Sequence, residues 1–215
     1  DAVGQDKVKA LKAQLTSKYP GLEVIAVPFP ASSWLATNHA QQVDAIVLAI
    51  GRPATEQALT RQIRSRGLRG NIVVTWLEAL GLGGHVVTLP ASGEGCLDCI
   101  YRDGEGQASL YPAVSFLAPG QKVSRSLSGC LGTFIPYSAL HSRKTTLLAT
   151  EAVLNALASP VEPRYTYWVG SDSLANAQGI ETSAWFKRAA TLDPANANRV
   201  LFGAPCAACR QAEPS

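Results

Sequence analysis

The chain has 215 residues, of which 47% are hydrophobic and 16% are charged, so it can bury a core of one large domain. Its net charge of +3 is small, and its Lys and Arg residues are scattered rather than clustered with aromatic residues, which argues against nucleic-acid binding. No apolar stretch reaches the roughly 18 residues that span a bilayer, and no signal peptide is recognisable. We therefore expect a soluble, cytoplasmic protein without a membrane partner.

The first part of the chain alternates between helical and strand periods, as α/β proteins do. Val8, Leu11 and Leu15 recur at helical spacing, which predicts an amphipathic helix, and Pro53 fits the first turn of another. The predicted elements are a helix at 6–18, strands at 22–29 and 45–50, a helix at 53–66 and a strand at 71–76. The first two strands are predicted to be parallel. This order predicts a Rossmann-like, doubly wound sheet.

The alternation ends after Trp76, and loops become more frequent. The predicted elements here are a strand at 85–89, a polar loop at 122–137, a long helix at 143–158 and a strand at 165–168. The loop is rich in Ser and Gly, so we expect it to be mobile, with Cys130 at its centre. We therefore divide the domain into a Rossmann-like part, residues 1–90, and a second part, residues 91–215.

Four of the five cysteines lie in two CxxC pairs. Cys96 and Cys99 form the first pair, and Cys206 and Cys209 form the second. Four thiolates are the closed tetrahedral set that a structural zinc ion prefers, and each pair can chelate through one tight turn. One shared zinc ion would tie the tail to the body of the domain. The sequence therefore predicts a zinc-clamped C-terminal region.

Two other interpretations of the cysteine pairs stay open. A single CxxC is also a redox motif, and four thiols can form two disulfides in an oxidising compartment. A redox CxxC is expected at the start of a helix in a strand-rich context, whereas the second pair here lies near the chain end. Disulfides would require a signal peptide upstream. A thiol oxidoreductase is therefore an alternative hypothesis.

Cys130 is the fifth cysteine and has no CxxC partner. Its Ser- and Gly-rich setting would expose a reactive thiol. A free cysteine is also commonly a small buried apolar side chain. The sequence around Cys130 alone does not distinguish a catalytic role of its thiol from a role in packing.

The order of these features resembles the ThiF/MoeB superfamily, which includes ubiquitin-activating enzymes. That order is a CxxC, a lone cysteine in a loop before a long helix, and a C-terminal CxxC. Residues 3–8 (VGQDKV) and 19–24 (YPGLEV) are similar to the family's VGxxK helix and the turn and strand that follow it. One bacterial branch, which fuses a ubiquitin-conjugating-like domain to a ThiF-like domain in antiphage CBASS operons, has similar motifs. They are Gly51–Glu56, Thr75–Glu78, Gly81–His85 and Gly129–Gly132.

The resemblance implies a parent enzyme that activates ubiquitin-like proteins with ATP and magnesium. A protein's C-terminal carboxylate attacks the α-phosphate of ATP, and pyrophosphate leaves. Cys130 would then take the acyl group as a thioester, and its loop would move the thiol from the adenylate to a partner. The implied partners are a ubiquitin-like protein or a CBASS nucleotidyltransferase as substrate, a ubiquitin-conjugating-like domain, and a second copy of the chain in a homodimer.

The same resemblance assigns nucleotide contacts to two residues. Lys7 matches the family lysine that contacts ATP phosphates, although a solvated helix lysine would have the same sequence. Arg52 could contact phosphate, and an ordinary exposed arginine is its alternative. The glycine-rich nucleotide-binding turn and the arginines that precede the lysine in relatives are missing, and Gly51 stands where MoeB-like members carry an aspartate.

These departures, with a chain that begins at Asp1 and contains no methionine, predict a fragment. We expect the C-terminal portion of an adenylating domain, with a sheet that is incomplete at its N-terminus and no activity in isolation. The alternative is a non-catalytic, adenylation-like scaffold that binds a protein partner through its zinc-clamped surface. Glu78, His85 and His141 have no sequence neighbour that would orient them, so we assign them no catalytic role.

Overall fold

The computed structural model of the chain describes residues 4–103, 105–121, 123–126, 133–158, 161–202 and 206–210. The chain divides into two units, Asp1–Gln41 and Gln42–Ser215. Within the described residues, no helix combines the length and the apolar character needed to cross a bilayer.

The first unit contains helices rather than strands in its described part. Its helices are α1 (Lys7–Lys18) and α2 (Ala31–Leu35), and the 3-10 helix Asn38–Gln42 follows them. The predicted first helix is confirmed, but none of its residues is buried and Leu11 is 47% exposed. The predicted strand at 22–29 is wrong, because these residues have no regular secondary structure. Pro28 lacks a backbone N–H donor and Ile25 is 76% exposed, so the segment lacks the hydrogen bonds and the buried face of a strand.

The second unit alternates strands and helices along the chain. Its described strands are β1 (Ala45–Leu48), β2 (Asn71–Leu77), β3 (Gly83–Leu89), β4 (Arg125–Ser126), β5 (Thr133–Phe134) and β6 (Arg164–Val169). Its described helices are α3 (Pro53–Ser65), α4 (Ala139–Ala158), α5 (Ser173–Ala177), α6 (Ala184–Ala189), α7 (Pro194–Phe202) and α8 (Ala207–Arg210). Short 3-10 helices lie at Ala79–Gly81 and Leu97–Ile100. The α/β class is therefore confirmed.

A mixed sheet with the strand order β1-β2-β3-β6 forms the centre of this unit, and β4 pairs with β5 separately. β1 and β2 are parallel and are joined through α3, whereas β3 is antiparallel to both β2 and β6. Of the two strands predicted to be parallel, 22–29 is not a strand, whereas β1 is parallel to β2, with Ala45 opposite Asn71. A single parallel pair and two antiparallel pairs make this a mixed sheet. The Rossmann-like, doubly wound arrangement stays a prediction.

Helix α4 packs across one face of the sheet. Val73 of β2 and Val86 of β3 are fully buried, and they share a core cluster with Ala149 and Ala156 of α4. Small alanine side chains allow the helix to lie close to the strands. The predicted helix at 143–158 is confirmed, and in the structure it begins at Ala139.

Aromatic side chains cover the other face, since alternate residues of a strand point to opposite faces. His85 and Tyr165 are fully buried there. The His85 ring stacks on Trp76, with 4.7 Å between ring centroids, and lies 4.4 Å from the ring of Phe116. These contacts anchor β6 and the segment around residue 116 to the sheet.

Candidate metal centre and adjoining cavity

The two CxxC pairs meet in space, although 110 residues separate Cys96 from Cys206. All four of these cysteines are buried. The Sγ atoms of Cys96 and Cys206 lie 3.4 Å apart, and those of Cys99 and Cys209 lie 3.5 Å apart. All four Sγ atoms lie within 4.8 Å of one another. The structure thus brings together the four cysteines that the sequence predicted as one site.

These separations fit a single metal ion. A tetrahedral zinc site with Zn–S bonds of about 2.3 Å has sulfur atoms about 3.8 Å apart. A disulfide would require about 2.05 Å between sulfur atoms, whereas the shortest separation in this cluster is 3.4 Å. Four buried cysteines this close together could bind a metal such as zinc.

The electrostatics of the cluster also favour a cation. A hydrogen bond from the Cys96 thiol lowers the pKa of Cys99 to about 5. The same hydrogen bond, together with burial, raises the pKa of Cys96. Ionisation of one thiol therefore opposes ionisation of its neighbours, because like charges repel in a buried cluster. A divalent metal removes that conflict by binding the thiolates themselves.

Two arginines of α3 hold the first cysteine pair in place. Arg61 makes a bidentate ion pair with Asp98, which lies between the two cysteines, at 2.6 Å (Nη2–Oδ1) and 2.9 Å (Nε–Oδ2). Arg64 is buried and donates hydrogen bonds to the turn that leads into Cys96. Its acceptors are the backbone carbonyls of Pro90, Gly93 and Gly95. Helix α3 therefore fixes the approach to the metal centre.

We expect Arg64→Met to destabilise the chain by about 3 kcal/mol, because it leaves buried carbonyls without their donor. The matched variant Arg61→Met should cost about 0.5 kcal/mol, since its ion pair is exposed on the arginine side, where the side chain is 60% accessible. Urea unfolding of both variants measures the difference. Equal losses would show that Arg64 does not hold the turn.

A cavity of about 1140 Å³ opens at the carboxyl ends of β1 and β2. This edge of the parallel strands is where α/β proteins commonly bind ligands. Helix α4 forms one wall, and Ile135 and Tyr137 belong to the lining. Glu56, Glu78 and Tyr101 contribute polar groups. Local sequence patterns do not reveal this cavity, because its walls come from distant parts of the chain.

Glu78 belongs to a buried hydrogen-bond chain that the sequence analysis missed. Its Oε1 atom accepts from the Phe116 backbone N–H at 3.0 Å and lies 3.2 Å from His85 Nε2. The other ring nitrogen of His85 lies 2.6 Å from the Tyr165 hydroxyl. Burial raises the pKa of Tyr165 well above 10, so its hydroxyl is protonated and we assign it as the donor to His85. His85 Nε2 then donates to Glu78, which is among the residues that line the cavity.

Three glycines near this hydrogen-bond chain, Gly81, Gly83 and Gly84, allow neighbouring side chains to pack closely. A Cβ atom on Gly83 would collide with the ring of Phe116, and one on Gly84 would collide with Thr145 of α4. A Cβ on Gly81, which has a φ of 76°, would collide with the ring of His141. These contacts explain the glycines without a nucleotide.

No protein-family model matches the chain, and no curated protein matches it at a significant level. The resemblance to the ThiF/MoeB superfamily therefore stays a prediction.

The remaining predicted site residues are spread over the chain. Lys7 lies exposed on α1, in the first unit. Arg52 is exposed at the N-cap of α3, directly after Gly51, which lines the cavity with a φ of 70°. Cys130 lies outside the described residues. Ser126, which precedes Cys130 in the sequence, is paired with Thr133, which follows it.

Proposed function

We propose that this chain is part of a ubiquitin-like activating enzyme that adenylates a protein C-terminus with ATP and passes it to Cys130 as a thioester. One observation carries the proposal: the cavity at the carboxyl ends of β1 and β2 is lined by Ile135 and Tyr137, which follow Cys130 in the chain. Five residues reach at most about 17 Å. The chain length therefore allows the thiol to approach the cavity.

The chemistry divides into two displacements. A carboxylate oxygen of the protein substrate forms a bond to the α-phosphorus of ATP, and pyrophosphate leaves. The Cys130 thiolate then attacks the carbonyl carbon, and AMP leaves with the electrons of the broken C–O bond. In this proposal Lys7 and Arg52 contact the phosphates, and magnesium offsets their charge.

The metal centre has a structural role in this proposal. Cys96, Cys99, Cys206 and Cys209 bind one zinc ion, which fastens α8 to the first cysteine pair. The proposed partners are a ubiquitin-like protein or a CBASS nucleotidyltransferase as substrate, a ubiquitin-conjugating-like domain, and a second copy of the chain. The proposed setting is bacterial antiviral defence in the cytoplasm.

The test uses the full-length parent protein with ATP and its protein substrate. Cys130→Ala should abolish the thioester and retain ATP–pyrophosphate exchange, because adenylation precedes the thiol. Cys130→Ser should trap an ester that thiol reductants do not cleave. If exchange in the unaltered parent does not depend on the protein substrate, the proposed function is wrong.

A second candidate function is a non-catalytic scaffold that binds a protein partner. Two observations favour it: Gly51 stands at the position where MoeB-like members carry an aspartate, and no Lys or Arg is among the described residues that line the cavity. A parent protein that binds its partner but no nucleotide would support the scaffold. A trapped acyl-adenylate would reject it.

A further inference from the structure

The threonines that line the cavity present only hydrogen-bond acceptors to it. Each of the four donates its hydroxyl hydrogen to a backbone carbonyl. The bonds are Thr75 to His85 at 3.0 Å, Thr145 to His141 at 3.2 Å, Thr146 to Ser142 at 2.9 Å and Thr150 to Thr146 at 2.8 Å. A hydroxyl has one hydrogen and two lone pairs, so these groups can only accept from a ligand. Thr145 already accepts from Trp168 Nε1 at 2.9 Å.

Two buried carboxylates add negative charge to the same wall. Glu56 is 3% exposed and Glu78 is 7% exposed, and both line the cavity. Glu56 Oε1 accepts from the backbone N–H groups of Ile50 and Gly51 at 3.0 and 2.9 Å. Hydrogen bonds from described residues reach both carboxylates at Oε1, so Oε2 of each is available to a ligand. Burial raises the pKa of Glu56, because the carboxylate loses solvation there, and the hydrogen bonds from Gly51 and Ile50 oppose this shift.

Tyr101 supplies an independent sign of a ligand. It is 7% exposed and lines the cavity, and its hydroxyl has no hydrogen-bond partner among the described residues. This hydroxyl is not fully buried, so it is open to a ligand in the cavity.

We propose that this cavity binds a cationic hydrogen-bond donor on an apolar body, an alkylammonium or alkylguanidinium group. The Oε2 atoms of Glu56 and Glu78 accept its N–H groups and offset its charge. The Thr146, Thr150 and Tyr101 oxygens accept the remaining hydrogens, and the apolar lining covers the body of the ligand. An arginine or lysine side chain of a peptide and a free organic amine both carry this chemistry. The inference rests on the cavity and not on the proposed activity. A negative cavity wall disfavours the phosphates of ATP, so cation binding there would support the scaffold over the adenylating enzyme.

Calorimetric titration of the full chain with hexylamine, hexanol and hexanoate tests the proposal. Hexylamine should bind at least about tenfold more tightly than hexanol, and hexanoate should bind more weakly than either. Glu78→Gln keeps an oxygen acceptor but removes the charge, so it should weaken hexylamine binding about tenfold and leave hexanol binding unchanged. Equal affinities for hexylamine and hexanol would overturn the proposal.

Glu151→Gln is the matched control, because Glu151 is an exposed carboxylate on α4 outside the cavity lining. It should leave hexylamine binding unchanged. Thr150→Val, at an exposed position, tests the same wall if Glu78→Gln does not fold, and it should weaken hexylamine binding about threefold. Unchanged hexylamine affinity in a folded Glu78→Gln or Thr150→Val variant would overturn the proposal.

Two tripeptides distinguish the sources of the cation. If a peptide side chain is the ligand, acetyl-Leu-Arg-Leu-amide should bind at least about tenfold more tightly than its citrulline counterpart. Binding of hexylamine but of neither peptide identifies a free amine and also supports the proposal. Cys130→Ala should bind hexylamine as the unaltered chain does, so failure of the thioester assay would leave this result standing.

Discussion

Cys99→Ser is expected to release the bound metal and to lower the free energy of unfolding by at least about 4 kcal/mol. The substitution removes one of four ligands from a site whose sulfur atoms all lie within 4.8 Å of one another. The other three cysteines are buried and would be left without the cation that their thiolates require. The contact between α8 and the first cysteine pair would then lose its main source of stability.

The measurements are the metal content of the purified chain and its unfolding in urea. The unaltered chain and the control variant Cys130→Ser should each contain about one zinc ion, because Cys130 stands outside the CxxC pairs. A chelator should lower the stability of both to that of Cys99→Ser, and it should not affect Cys99→Ser further. A metal-free chain with a redox-active disulfide and unchanged stability would instead support the thiol oxidoreductase.

Helix α3 connects this metal centre to the cavity. Its first turn carries Glu56, which receives the backbone N–H groups at the end of β1. Its last turns carry Arg61 and Arg64, which hold the cysteine turn. Loss of the metal should therefore also loosen the hexylamine site, although no cysteine lines the cavity among the described residues.

Local sequence patterns predicted the elements that depend on local interactions. The strand at 45–50 and the helices at 53–66 and 143–158 follow from apolar runs, a proline at the first helical position and helical periodicity, and all are present. The strand at 22–29 failed because a strand forms only beside a partner, and composition does not reveal a missing partner. The sequence pattern likewise did not predict that β3 is antiparallel to β2 and to β6.

The same reasoning applies to the sites. The cysteine cluster was predictable because each CxxC is a local chelating unit and two such units suffice for one ion. The hydrogen-bond chain from Glu78 through His85 to Tyr165 was not predictable. His85 and Tyr165 are 80 residues apart in the sequence, and the pairing of β3 with β6 brings them together. The acceptor wall of the cavity depends on where each threonine hydroxyl points. Whether a hydroxyl hydrogen already takes part in a hydrogen bond depends on the fold and cannot be predicted from the sequence.

Gly84→Ala is expected to destabilise the second unit by about 3 kcal/mol. The added Cβ would collide with Thr145 Oγ1 and would lie 2.5 Å from Trp168 Nε1, far inside van der Waals contact. Because Thr145 lies on α4 and Gly84 on β3, the helix would have to move away from the sheet. That movement would also break the hydrogen bond from Trp168 to Thr145, which is 2.9 Å long.

Urea unfolding of a double-mutant cycle tests this packing argument. Thr145→Ala alone should cost about 1 kcal/mol through the lost hydrogen bond. In the Gly84→Ala background it should cost less or become stabilising, because it removes the atom that the new methyl group strikes. Gly21→Ala is the control for a glycine in open space, and it should change stability by no more than about 0.5 kcal/mol. Additive effects of Gly84→Ala and Thr145→Ala would show that the close approach of α4 to β3 is not what requires glycine at this position.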